Sequence, residues 1–403
     1  MNLPLAVPLA VLLALGAPFA IHSHAAAAPP AGLVVPVDGQ PFQASLSRVD
    51  AGWKIAFAGH DRELPAADLV SWGAFAEATR GPQLVLAGGG VLVADVLEIN
   101  REHLRADADV AGTLQLPLES VAGVLLRPPV DPRQRDQLID KVLAVAGDSD
   151  RLLLDNGDEL AGTVAGLRDE KLTLESAAGK VEIELAKVLA IVFNPALREK
   201  AKPAGLRCWI GFRDGSRVLA TSMTMNLTTA QLKLAGGDSL QARSGTIVAI
   251  QPLGGRAVYL SDLKAAGYRH VPYLELPWPY RRDESVTGGL LRSGSKVFLK
   301  GLGMHSASRL TYDLPRSFHR FQAEVAIDDE THGGGSVVVR VFTDDGSGKW
   351  QPKFTSSTIR GNDPPVPISI DLAGAKRISL LVDFADHGDE LDHADWLNAR
   401  LVR

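Results

Sequence analysis

The residues most suggestive of chemistry lie in the segment KGLGMHSAS, where His305 is followed by Ser306 and Ser308. A histidine within hydrogen-bond reach of a serine is the pairing that activates a hydroxyl nucleophile. Adjacent residues of a strand point to opposite faces, which disfavours this pairing between neighbours. The sequence favours a buried His305 that hydrogen-bonds a loop carbonyl or carboxylate, and a contact to a ligand is the second interpretation.

Acidic residues form the second group, and they are concentrated in segments 328–330 and 383–395. Clustered carboxylates suit calcium, which takes about six to eight oxygen ligands, although the spacing does not follow an EF-hand loop. Two carboxyl groups about 5 to 9.5 Å apart would suit glycoside hydrolysis. A solvated acidic loop is the third interpretation, and the residue types leave all three open.

These residues belong to a chain of 403 residues, a length that predicts two or three domains. The net charge is −5, and no clustered basic segment points to a nucleic-acid partner. Cys208 is the single cysteine, which excludes an internal disulfide and a cysteine-rich zinc site. We predict that Cys208 is a buried apolar residue of a strand.

Residues 1–28 are apolar and precede the first charged residue, Asp38. They resemble a secretory signal peptide, with small residues for cleavage near 25–28. An uncleaved anchor is the alternative, but the prolines within the run disfavour a spanning helix. We therefore expect a bacterial-type protein that is secreted, periplasmic or attached to the cell envelope, without a membrane span after cleavage.

Short apolar strands and polar turns recur in one order between residues 33 and 253. Two copies are predicted in 33–127 and two more in 151–253, with a helical linker at 128–150. Asp-Gly and Asn-Gly pairs supply hairpin turns. The pattern resembles the SH3-like or Sm-like class of small β-barrels. Such copies usually form a spacer or a docking surface, so we predict a scaffolding role and place Trp53, Trp72 and Trp209 in the cores of the copies.

Residues 256–403 read as strands separated by Gly, Asp and Pro turns, which predicts an antiparallel sandwich of jelly-roll type. The predicted fold class of the whole chain is therefore all-β. Six segments occur in order: YLSDL at 259–263, KGLGMHSAS at 300–308, YDL at 312–314, RFQAEVAIDDE at 320–330, GSVVVRVFTDDG at 335–346 and DHADWLNARL at 392–401. Together they resemble the NPCBM/NEW2 domain, a carbohydrate-binding module related to carbohydrate-binding module family 51. The resemblance implies a galactose-binding-like β-sandwich without catalytic activity of its own.

Sugar recognition needs a flat ring beside fixed donors and acceptors at a loop edge. The candidate ligand-binding residues are Trp278, Tyr280, Arg281, Trp350 and His305. Trp278 lies between two prolines and cannot belong to a central strand, so it forms either a sugar platform or a plug over the end of the sandwich. Trp350 lies in a loop flanked by glycine and proline, whereas Trp396 is expected in the core.

The resemblance also implies a structural calcium ion as a possible cofactor. Asp262 and Asp395 would share that ion if the two ends of the domain meet, as they commonly do in sandwiches.

The sequence therefore predicts an exported, non-catalytic protein that attaches to a glycan through its C-terminal sandwich. One alternative is a structural or protein-interaction scaffold of the cell envelope, with envelope proteins as partners of the repeats. The other is an accessory part of a glycoside hydrolase system.

Overall fold

The computed structural model describes residues 29–61, 63–198, 204–273, 276–314 and 318–403. The predicted signal peptide, residues 1–28, lies outside them. Among the described residues, 34 strands and a single α-helix, α1 (Pro132–Ala144), make the chain all-β, as the sequence predicts. No helix in this part of the chain is long and apolar enough to cross a membrane.

The N-terminal part contains four successive units, each with five strands and one turn of 3₁₀ helix before the fifth strand. The first comprises β1 (Ala31–Pro36), β2 (Phe42–Val49), β3 (Lys54–Phe57), β4 (Leu64–Pro65) and β5 (Leu69–Gly73). The second comprises β6 (Gln83–Leu86), β7 (Gly90–Ile99), β8 (His103–Ala108), β9 (Gly112–Pro117) and β10 (Val121–Leu125). The third comprises β11 (Asp150–Leu154), β12 (Glu159–Arg168), β13 (Lys171–Ser176), β14 (Gly179–Glu184) and β15 (Val188–Val192). The fourth comprises β16 (Arg207–Phe212), β17 (Arg217–Met225), β18 (Thr229–Leu234), β19 (Ser239–Arg243) and β20 (Ile247–Leu253).

Each unit curls on itself because its fifth strand pairs antiparallel with its first. The 3₁₀ turns at Ala66–Asp68, Leu118–Ser120, Leu185–Lys187 and Ser244–Thr246 precede those closing strands. Strands also pair between units: β10 with β15, β7 with β17, and β5 with β20. The 20 strands therefore form one hydrogen-bonded sheet. The resemblance of a unit to the SH3-like class stays a prediction.

The hairpin turn between β16 and β17 shows why glycine is needed there. Gly215 has φ +86°, the left-handed region that glycine adopts without a steric penalty. A Cβ at this position would lie 2.2 Å from the backbone nitrogen of Ala78. Glycine thus serves both the turn and the close approach of the segment that joins the first two units.

Helix α1 lies within the predicted linker between the second and third units. Asp131 caps it by accepting a hydrogen bond from the Gln134 backbone nitrogen at 2.8 Å, and Pro132 occupies the first turn. Ile139 and Val142 pack against strands of both neighbouring units, so the linker is a structured part of the N-terminal core.

The C-terminal part is a sandwich of two antiparallel sheets, as the sequence predicts. Its strands are β21 (Ala257–Tyr259), β22 (Gly267–His270), β23 (Arg281–Arg282), β24 (Leu291–Ser293), β25 (Lys296–Phe298), β26 (Gly301–His305), β27 (Ser308–Asp313), β28 (Arg320–Ile327), β29 (Ser336–Asp344), β30 (Gln351–Thr355), β31 (Ile359–Arg360), β32 (Val366–Asp371), β33 (Arg377–Phe384) and β34 (His393–Val402). The first sheet has the order β23-β26-β34-β28-β32, with β21 also on β34, and the second has the order β22-β27-β33-β29-β30, with β31 on β29. Single 3₁₀ turns occupy Leu260–Asp262 and Asp329–Thr331, and β24 and β25 form a separate hairpin.

The core of the sandwich contains the tryptophan that the sequence predicts there. Trp396 and Tyr312 are fully buried among the apolar residues of both sheets. In the N-terminal units Trp53, Trp72 and Cys208 are likewise buried, whereas Trp209 is half-buried.

A buried ionic network joins the sandwich to the N-terminal units. Arg292 of β24 lies 2.5 Å from Glu77 Oε1 and 2.6 Å from Asp136 Oδ2 of helix α1. Arg135 holds the second oxygen of Glu77 at 2.5 Å. The network is enclosed, since the side chain of Arg292 is 12% exposed and that of Asp136 is 6% exposed.

Candidate functional site

Aromatic and imidazole rings converge at one end of the sandwich. The Trp278 indole stacks on the His305 imidazole, with centroids 4.8 Å apart and planes 4° from parallel. The rings of His270 and His393 lie 5.9 and 5.7 Å from that of His305. His305 ends β26, His270 ends β22 and His393 begins β34, so three strand ends assemble the group. We call these four residues the ring cluster.

The glycines before His305 let β26 pass beneath neighbouring chain. A Cβ on Gly301 would lie 2.6 Å from the Trp396 carbonyl oxygen, and one on Gly303 would lie 2.5 Å from that of Glu284. Any larger residue would push the strand out of register with β34, where His305 is paired with His393. The glycine pattern in KGLGMH therefore positions the histidine.

Backbone hydrogen bonds fix the Trp278 indole. The Trp278 backbone nitrogen donates to His270 Nδ1 at 3.1 Å, and the Trp278 backbone carbonyl accepts from the Tyr268 hydroxyl at 2.6 Å. Pro277 and Pro279 restrict the backbone on both sides. Trp278 is half-buried, with one ring face against His305.

The contacts of the imidazoles determine which nitrogen carries the proton. His305 Nδ1 donates to the Ser306 carbonyl at 2.7 Å, so its Nε2 is an acceptor in the neutral ring. His270 accepts on Nδ1 and donates from Nε2 to the same carbonyl at 3.0 Å. Burial lowers the pKa of His305, which favours the neutral form. The prediction of a buried His305 bound to a loop carbonyl is confirmed.

His393 connects the ring cluster to a buried carboxylate. Its Nδ1 lies 3.0 Å from Glu330 Oε1, which also accepts hydrogen bonds from the hydroxyls of Ser285 and Thr287. Burial acts to raise the pKa of Glu330, but the hydrogen bonds from His393, Thr287 and Ser285 outweigh it and lower the pKa to about 2. Glu330 is therefore an ionised anchor that orients His393.

The serine next to His305 has a different partner from the one that nucleophilic chemistry requires. Ser306 Oγ donates to Asp392 Oδ2 at 2.5 Å, and Asp392 also accepts from the Ser336 backbone nitrogen at 2.8 Å. Burial raises the pKa of Asp392 to about 6. The hydroxyl of Ser306 thus joins two loops, and the hydrogen bond from His305 goes to the Ser306 carbonyl and not to this hydroxyl.

A comparison with protein families decides the class of the domain that carries the ring cluster. Residues 256–402 match the model of the NPCBM/NEW2 domain. The sandwich is an NPCBM/NEW2 domain. The match runs from just before β21 to the last residue of β34 and confirms the resemblance seen in the sequence.

Comparisons with known proteins match this chain in part. A protein of Renibacterium salmoninarum named "Putative endo-alpha-N-acetylgalactosaminidase" is 27% identical over 188 residues, which are 42% of this chain and 12% of that protein. The CBM51 of Clostridium perfringens GH95 in complex with methyl-galactose is 23% identical at a TM-score of 0.32, covering 36% of this chain and 99% of that one. The CBM51-2 and INT domains of Clostridium perfringens ZmpB with GlcNAc are 23% identical at a TM-score of 0.32, covering 46% of this chain and 37% of that one. The chain thus spans about an eighth of the curated relative's length (12%).

Two predicted ligand-binding residues of the NPCBM/NEW2 domain lie beside Trp278 and are largely committed to internal contacts. The Tyr280 ring packs on Tyr268 with centroids 5.0 Å apart. Arg281 donates from Nε to the Val286 carbonyl at 3.0 Å and forms an ion pair with Glu284 at 2.9 Å. Both residues brace the segment that presents the indole.

Trp350 has its own surroundings. It precedes β30, and the guanidinium groups of Arg309 and Arg377 lie over its ring at 4.5 and 5.0 Å from the centroid. Its aromatic and cation–π contacts are with these arginines and not with the ring cluster, so the structure does not bring Trp350 into contact with Trp278.

The two predicted calcium ligands have different partners. Asp262 Oδ1 is 2.6 Å from the Lys300 ammonium, which also binds Asp283 at 2.6 Å. Asp395 is fully buried beside Asp328. Lys300 already neutralises Asp262, and in the described part of the chain no three His, Cys, Asp or Glu side chains are grouped to hold a metal ion. The two carboxylates as placed do not fit one calcium ion, and the calcium site stays a prediction.

Sequence reasoning missed three members of this region: His270, His393 and Tyr273. The phenol ring of Tyr273 is 65% exposed and meets the edge of Phe384 at 6.2 Å between centroids. Each residue lies at or just beyond a strand end. The alternating residues within GYRH and within HADWL predict the strands, but they do not predict which strand ends meet. A search for histidines at predicted strand ends would have found His270 and His393.

Proposed function

We propose that the protein binds a neutral glycan at the ring cluster of its NPCBM/NEW2 domain and catalyses no reaction there. The observation that carries the proposal is the fixed, half-buried Trp278, which is stacked on a neutral His305. A sugar packs the C–H face of its ring on such a platform, and polar groups at the rim select its hydroxyls. His305 Nε2 is an acceptor at this position.

Attachment rather than hydrolysis follows from the state of the polar groups. Ser306 is bound to Asp392, and Asp395 is fully buried and out of reach of a substrate. A curated relative carries the name of a glycosidase, but the matched part is 12% of its length. We therefore propose a binding role, either outside the cell or on its envelope after export, with the four N-terminal units as a spacer that holds the domain away from its attachment point.

The test replaces Trp278 with alanine in the full chain. We expect the variant to bind its glycan at least about tenfold more weakly, because the stacking surface is lost, which corresponds to about 1.4 kcal/mol. Methyl-β-galactoside and N-acetylglucosamine, followed by a glycan array, are the probes for titration calorimetry.

Trp350→Ala is the matched control, since it removes a half-buried tryptophan of the same domain that lies outside the ring cluster. Its affinity should equal that of the unmodified protein. Equal losses for both variants, or no retention of any array glycan by the unmodified protein, would refute the proposal.

A further inference from the structure

A cavity of about 380 Å³ lies between the N-terminal units and the NPCBM/NEW2 domain, outside the ring cluster. Trp209 of β16 and Arg217 of β17 line one wall, Asp140 of helix α1 lines the second, and the segment 282–290 lines the third. Its volume is in the range of small-molecule sites, which often form at domain interfaces.

Arg217 is the unexplained group of this cavity. It is 9% exposed and lines the cavity, and among the described residues no carboxylate or carbonyl accepts a hydrogen bond from its guanidinium. Asp136 and Glu77 interact electrostatically with Arg217 from a distance. Their direct ion pairs are with other arginines, Asp136 with Arg292 and Glu77 with Arg135. A guanidinium that lines a cavity and has no such partner can pair with an anion that a ligand supplies.

Four basic and four acidic side chains line the cavity, and most of the acidic ones are already paired. Three of its four carboxylates are neutralised by cations: Asp136 by Arg292, Asp283 by Lys300 and Glu284 by Arg281. Arg207 and Arg282 donate to backbone carbonyls, and no ion pair of either is present in the described part of the chain. Asp140, the fourth carboxylate, forms no ion pair with the described residues, and partial desolvation of its carboxyl group, together with Glu284 and Asp136, raises its pKa to about 6.

The apolar side of the cavity offers a ring surface beside Arg217. Trp209 is half-buried, and Leu219, Leu253 and Leu299 line the wall around it. Trp209 of β16 is paired with Leu219 of β17. Arg217 lies two residues before Leu219 on the same face of β17. A guanidinium and an indole are thus displayed side by side on one rigid sheet.

We propose that this cavity binds an anionic sugar, carboxylated or sulfated, whose anion pairs with Arg217 and whose ring packs on Trp209. Arginine binds both kinds of oxyanion through two parallel hydrogen bonds. The choice of a sugar rests on the proposed function of the domain that forms part of the wall. The preference for an anion rests on Arg217, together with Arg207 and Arg282, which form no ion pair with the described residues.

The experiment is titration calorimetry of the full chain with three probes: digalacturonate, galactose 6-sulfate and neutral galactobiose. We expect at least one anionic probe to bind at the cavity and to bind about tenfold or more weakly to Arg217→Met, because a charge-assisted hydrogen bond is lost. The two anionic probes distinguish a carboxylate from a sulfate. Unchanged affinity in Arg217→Met, or binding of neither anionic probe, overturns the proposal.

Asp140→Asn keeps the test decisive if Arg217→Met folds poorly, because Asp140 is an exposed helix residue. Removing the carboxylate that opposes the anion should strengthen anionic binding about two- to fivefold, as expected for a partly solvated charge, and should leave the affinity for galactobiose unchanged. Weaker anionic binding in Asp140→Asn contradicts the inference. Trp278→Ala should not alter anionic binding, so failure of the ring cluster as a glycan site and failure of this cavity are separate results.

Discussion

Replacing Arg292 with methionine is expected to lower the free energy of unfolding by about 3–5 kcal/mol, the cost of leaving a buried carboxylate without its cation. Arg292 is 2.6 Å from Asp136, whose side chain is 6% exposed, and 2.5 Å from Glu77. Glu77 keeps Arg135 in the variant, so Asp136 bears most of the cost. Because the pair joins two parts of the chain, denaturant unfolding should also lose cooperativity between them.

The matched control is Arg360→Met. Arg360 and Asp386 are also 2.6 Å apart, but their side chains are 56% and 48% exposed, so the loss should be within about 1 kcal/mol. Adding Asp136→Leu to Arg292→Met should recover part of the stability, since it removes the uncompensated charge. Equal effects of Arg292→Met and Arg360→Met would show that the network does not hold the domains together.

Asp395→Asn is expected to raise stability by about 1–3 kcal/mol at pH 8, the cost of a buried acceptor without a donor. Asp395 is fully buried, and burial, together with the carboxylates Asp328 and Glu330, raises its pKa well above the ordinary value. Folding therefore favours the protonated form of Asp395. The contribution of Asp395 to stability is fully present below the unfolded pKa of about 3.9 and is lost as pH rises through the folded pKa.

An amide at position 395 cannot ionise, so the gain in the free energy of unfolding over the unmodified protein should grow from pH 4 to pH 8. The measurement is denaturant unfolding across this pH range. Asp313→Asn, at an exposed position of β27, controls for the loss of one carboxylate. A gain that is independent of pH would contradict a protonated Asp395.

Local patterns in the sequence predict most of the fold. Alternating residues identify the strands, Asp-Gly and Asn-Gly identify hairpins, and Asp131-Pro132 identifies the start of helix α1. These patterns do not predict the pairing between distant strands, such as β5 with β20. The alternation of apolar and polar residues along a strand is the same whichever strand pairs with it.

The candidate sites are likewise predictable only where the signal is local in the sequence. Trp278 is recognisable from the two prolines beside it, and Trp396 from its apolar neighbours. The stacking of Trp278 on His305 depends on three strand ends that meet only in the folded sandwich. Asp262 and Lys300 pair although they are 38 residues apart. The unpaired charge of Arg217 depends on side chains from several parts of the chain. No local pattern encodes them.

The pairing of β5 with β20 has a consequence for biosynthesis. Trp72 and Gly73 of β5 pair with Ile250 and Ala249 of β20. The ribosome therefore synthesises β5 long before its partner strand β20. Until then, backbone donors and acceptors of β5 are open to strands of other nascent chains. A chain that ends before β20 would therefore keep β5 as an unpaired strand edge that is prone to aggregation. Chaperones that bind extended segments would be needed most while the second and third units are synthesised.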